Sequence, residues 1–105
     1  MVMPPEKTPP QMITSPDGKC QITSHRRAYK DAFGSYCVEG VIKNTSPEPE
    51  LNVKIKIDYY DSDNVRFDSE VDTLTIPKLG GTRAFYIPYS GLRRGDIKYH
   101  KISLL

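Results

Sequence analysis

The stretch that decides the fold is LNVKIKIDYYDSDNVRFDSEVD, residues 51–72. Leu51, Val53, Ile55, Ile57 and Tyr59 alternate with Asn52, Lys54, Lys56, Asp58 and Tyr60. A period of two is that of a pleated strand with one buried face. Past the acidic turn, Val65, Phe67 and Val71 keep the odd parity, with Arg66, Asp68, Glu70 and Asp72 on the polar side. Both strands must aim their odd residues at one core, so facing positions must sum to an even number. A two-residue loop pairs Asp61 with Asn64 and turns one strand inside out. A three-residue loop, Ser62-Asp63-Asn64, keeps the parity. Its third position must be left-handed, a conformation that Asn tolerates best after Gly.

This register predicts Tyr59 against Phe67 inside. Outside it sets Lys56 against Glu70 and Lys54 against Asp72, each charge pair contributing about 0.2–1 kcal/mol. It also leaves Asp58 facing Asp68, an unfavourable pair that the register does not explain. Most of the acids therefore read as outward partners of lysines and not as a cation site. An EF-type loop would need an oxygen ligand at Val65 and a glycine after it, and the chain has neither.

Working outward, CQITSHRRAY (20–29) is a first strand with a poor core pattern, and Asp31-Ala32-Phe33-Gly34 is a turn. SYCVEGVIKN (35–44) is a second strand, with Tyr36, Val38, Gly40 and Ile42 on one face and Cys37, Glu39, Val41 and Lys43 on the other. Thr45-Ser46-Pro47-Glu48-Pro49 breaks the chain. Asn44 heads a formal glycosylation triplet, but Pro47 follows it directly, and Asn44 reads as a strand end and turn start. On the other side the parity changes at Thr73-Leu74, which predicts a bulge or bend. Residues 77–81 form a loop, and TRAFYIPY (82–89) is a strand with Phe85, Ile87 and Tyr89 inward. After a turn at 90–95, IKYHKISLL closes the domain. About seven strands with short turns predict an all-β fold, an immunoglobulin-like antiparallel β-sandwich over residues 19–105. There is no Trp, so the antibody pattern of Cys, Trp and Cys is missing.

Residues 1–18 hold five of the nine prolines (Pro4, Pro5, Pro9, Pro10 and Pro16) and read as an extended tether. PPEKTPP lacks the basic anchor of an SH3-type ligand. With 105 residues, 37% hydrophobic and 27% charged, the chain is one globular domain. A net charge of +2 is too small to imply nucleic acid by itself. No apolar run has transmembrane or signal-peptide length. The expected setting is extracytoplasmic or cell-surface if the native chain carries an upstream signal, and cytoplasmic otherwise. A hairpin around 31–34 sets Cys37 opposite Ala28 and Cys20 at the far end, so both are expected as free thiols.

GVIKNTS, LNVKIKIDYYDSDN and LGGTRAFYI together resemble the FxLYD-type domains of bacteria and archaea. Ile57-Asp58-Tyr59-Tyr60-Asp61 stands at the F-x-L-Y-D position, with Ile for Phe and Tyr for Leu. Asn64 replaces the turn glycine, and Gly80-Gly81 precedes Phe85. The resemblance spans roughly residues 36–104. It implies an accessory domain, often carried behind a flexible linker on secreted proteins or lipoproteins, and brings no catalytic residues.

The side chains suggest neither an enzyme nor a cofactor or metal. His25, His100, Cys20 and Cys37 are the only histidines and cysteines and have no C-x-x-C or H-x-x-x-H spacing, so they read as exposed histidines and small apolar cysteines. The expected role is a non-catalytic interaction module for an unknown protein partner at the cell envelope. Candidate contacts are Tyr60 and Tyr86, outward by parity and expected in one tyrosine-rich patch. The alternative is an anionic ligand (polysaccharide, lipid surface or RNA) held by Arg26, Arg27, Arg93 and Arg94.

Overall fold

A computed structural model describes residues 12–28, 36–77 and 80–105. The predicted turn at 31–34 lies outside them, as does most of the tether. The described chain forms seven strands: β1 (Ile13–Thr14), β2 (Cys20–Ala28), β3 (Cys37–Asn44), β4 (Leu51–Tyr60), β5 (Arg66–Ile76), β6 (Thr82–Pro88) and β7 (Tyr99–Leu104), with one 3-10 turn at Arg94–Asp96. They make two antiparallel sheets, ordered β1-β2-β3-β6 and β5-β4-β7. The β-sandwich expected from the alternation is what forms. Ile13 and Thr14 pair with Ile22 and Gln21, so the sheet already includes part of the segment read as tether.

β4 keeps its pattern without a break. Leu51, Val53, Ile55, Ile57 and Tyr59 are all buried, each apolar side chain contributing roughly 1.5–3 kcal/mol. The turn after it is the predicted one: Asp61 and Val65 close it, and Asn64 has φ 63°. The register beyond it is not. Tyr60 pairs with Arg66, but Tyr59 pairs with Asp68, so Phe67 is an extra residue in a bulge. The parity change expected at Thr73-Leu74 therefore falls at Phe67. Lys56 faces Val71 and Lys54 faces Thr73, in place of the predicted Glu70 and Asp72. Asp68 and Glu70 turn inward, while Leu74 and Ile76 enter the core further along.

The bulge removes the anomaly of the predicted register. Asp58 now faces Ser69, whose hydroxyl donates to Asp58 Oδ1 at 2.6 Å, and Arg66 and Lys56 lie 3.7 and 3.8 Å from the same oxygen. Asp68 is on the other face of β5. The two carboxylates never meet.

A second bulge explains the poor pattern of the first strand. Ile22 pairs with Ile42 and Ser24 with Val41, so Thr23 is the extra residue. Before it Cys20 and Ile22 face the core; after it His25 and Arg27 do. His25 sits opposite Gly40, where a Cβ would collide with the Ser24 carbonyl and the Phe85 ring. Ala28 pairs with Cys37 and Cys20 with Asn44, so the buried free thiols lie at opposite ends of this hairpin, as predicted. Asn44 is fully buried: its amide donates to the Glu48 carbonyl, and its oxygen accepts from the Ser46 amide and hydroxyl.

Candidate functional site

The two bulges face the same end of the sandwich, the end of the β4–β5 turn. There the interior is polar. From one sheet come His25, Arg27 and Tyr36; from the other come Tyr59, Asp68, Glu70 and His100. Tyr89 and Ser90 follow β6. Tyr36 hydroxyl and His100 Nδ1 share a hydrogen bond of 2.7 Å across the sheets. The Arg27 guanidinium lies 4.0 Å from the Tyr36 ring centroid. Tyr36, Tyr59 and Tyr89 stack edge to face in sequence, with centroids 5.9 and 4.6 Å apart. Tyr59 donates to Glu70 at 2.9 Å and Tyr89 to Asp68 at 2.6 Å, while the Ser90 amide and hydroxyl both donate to Glu70. Each of these half-buried carboxylates thus has its hydrogen-bond partners.

Burial, then the Glu70 carboxylate, raises the Tyr59 phenol well above its ordinary value. Burial and Asp68 raise that of Tyr89. Burial, with His25 and Arg27 beside it, pushes the His100 imidazole down to about 4, and burial also lowers His25. The histidines, expected on the surface, instead face each other between the sheets with ring centroids 6.2 Å apart.

The outer face of the β2-β3-β6 sheet is different. Ser24, Val41 and Ala84 are in register across its three strands and form a row of small side chains. The next row, Arg26, Glu39 and Tyr86, rises above them. Together with His25, Gly40 and Phe85 they bound a groove of about 790 Å³, within the range of ligand sites. Tyr86 is 45% exposed, and its hydroxyl lies 2.8 Å from Cys37 Sγ.

The six candidates expected from the sequence are not brought together. Arg26 and Tyr86 share this groove, with Arg26 paired to Glu39 at 2.7 Å. Arg27, next to Arg26, points the other way, into the interior. Tyr60 is on the outer face of the opposite sheet, stacked on Tyr99 with centroids 4.9 Å apart, so it forms no common patch with Tyr86. Arg93 lies over the Phe67 ring at 4.3 Å and pairs with Asp96 at 2.8 Å. Arg94 is exposed in the 3-10 turn.

The chain matches no family model, no curated protein and no solved structure.

Sequence reasoning passed over Ser24, Val41 and Ala84, because small residues on an outward face carry no signal until the strands are aligned. It also passed over the inward acids. The signal for those was present in the unexplained Asp58–Asp68 pair, which marked the register as one residue off.

Proposed function

We propose that the chain is a non-catalytic binding module of immunoglobulin-like type, and that it takes an extended segment of a protein partner on the outer face of the β2-β3-β6 sheet. The observation that carries this is the groove over Ser24, Val41 and Ala84, flanked by the exposed ring of Tyr86. A floor of small side chains admits a backbone closely, and an aromatic at the rim supplies contact area at low entropic cost. β6 is the edge strand of this sheet, so an extended segment can also pair with its backbone. The resemblance to FxLYD-type domains supports the same reading, an accessory module of a prokaryotic envelope protein.

The anionic-ligand alternative finds less support. Arg26 and Arg93 are engaged by carboxylates, and Arg27 is turned to the interior. Among the described residues no helix is long and apolar enough to cross a membrane.

The test is selection of binders from a random peptide library, mapped by amide shifts on the labelled domain. Shifts centred on Ser24, Val41, Ala84 and Tyr86, abolished by Ala84→Arg without loss of the fold, are expected. Binders that map to Arg93 and Arg94, or salt-sensitive retention on heparin, would move the assignment to the anionic reading.

A further inference from the structure

The groove over Ser24, Val41 and Ala84 has a second wall, and its two walls differ in charge. The floor row crosses the strands, so the groove does too. Two residues further along β3, Gln21, Lys43 and Thr82 are likewise in register and form the row on the other side of the floor. They share the outward face because Ile22 and Ile42, between the two rows, are buried in the core. On the first wall the Arg26 guanidinium and the Glu39 carboxylate pair with each other at 2.7 Å. On the second wall Gln21 and Thr82 are uncharged. Lys43 is exposed there and enters no ion pair among the described residues. Glu48, beyond the end of β3, is taken by Lys19 at 2.9 Å. One wall is thus a neutral pair with an aromatic ring, and the other presents a cation.

An extended segment shows alternate side chains to opposite sides. Lying in this groove, it turns one set toward Tyr86 and the next toward Lys43. Resting on the binding reading above, we propose that the partner segment is acidic as well as apolar: an apolar residue packs on the Tyr86 ring and the small floor, and a carboxylate next to it in sequence pairs with Lys43.

The dimensions of the groove suit such a segment. Its floor spans three strands, about 10 Å between the outer two, the length of about three extended residues. Tyr86 and Lys43 stand on neighbouring strands, so consecutive residues of the segment reach them. An ion pair at an exposed wall is modest in strength and is screened by salt. Its effect is therefore on which sequence is chosen more than on how tightly it is held.

The experiment applies the random peptide library to the full chain and takes the tightest binder that maps to the groove as its probe. Expected is enrichment of Asp or Glu next to an apolar residue. Changing that acid to its amide should weaken binding about threefold, and Lys43→Glu should weaken it about tenfold, both effects shrinking in high salt. A probe with Lys in place of the acid should bind the Lys43→Glu variant better than the native chain. Lys43→Gln, which keeps a long uncharged side chain, serves if the reversal disturbs the fold. Groove binders that contain no acid, or a binder whose affinity neither variant changes, would overturn this inference and leave the groove itself assigned. Absence of any binder at the groove would overturn the reading beneath it, and this inference with it.

Discussion

The two ends of this sandwich are built on the same strands yet have opposite interiors. One is filled by Ile22, Ile42, Leu51, Val53, Ile55, Leu74 and Ile76, the other by three tyrosines, two histidines, an arginine and two carboxylates. The change occurs at two single-residue bulges, Thr23 in one sheet and Phe67 in the other. A strand shows alternate residues to the core, so one inserted residue exchanges its whole inward set for its outward set. The difference teaches that the interior of a small sandwich is chosen strand segment by strand segment. A polar segment can be turned in where aromatic hydroxyls meet its charges.

The largest effect should come from truncating the apolar end. Ile76 is fully buried there, and Ile76→Ala should cost about 2–5 kcal/mol. Urea titration should show a correspondingly lower midpoint. A variant that unfolds like the native chain would mean that this end does not hold the two sheets together.

A smaller effect should separate the polar end from an apolar one. Tyr59→Phe leaves the ring packing intact but takes the hydroxyl from Glu70 Oε1, at a cost of about 1–3 kcal/mol. The Glu70 carboxylate keeps its Ser90 contacts, so the variant should stay folded with a lower urea midpoint. No shift would show that water replaces the hydroxyl and that this end is wetter than its packing implies. The smallest effect belongs outside the comparison, on the outer face. Arg26 is 75% exposed in its pair with Glu39, and Arg26→Ala should change stability by no more than about 1 kcal/mol. A larger loss would mean that the groove wall contributes to the fold as well as to binding.

How far the sequence could be read depended on where the deciding energy lies. β4 was legible because its own alternation is complete, and the turn was legible because Asn64 suits a left-handed position. The inward faces of β3 and β6 followed in the same way, with Tyr36, Val38, Ile42, Phe85, Ile87 and Tyr89 all buried. The separation of Cys20 from Cys37 needed only hairpin geometry. Half of the candidate surface was legible as well, since outward parity pointed to Tyr86. The floor of the groove was not, because Ser24, Val41 and Ala84 become a row only after three strands are aligned across a bulge.

By itself, then, the sequence determined an all-β chain, its strand positions, its main turn and the apolar end of its core, all of which rest on local pattern. Only the tertiary structure decided that the expected bulge of β5 falls at Phe67, that β2 has one at Thr23, and everything the two place. Neither Thr23 nor Phe67 carries a bulge signal of its own. The inward position of Asp68 and Glu70 is stable because Tyr89 and Tyr59 donate to them, and that of His100 because Tyr36, 64 residues away, shares its hydrogen bond. Whether a charged segment can face inward depends on partners that the chain brings from elsewhere, and no window along the strand contains them.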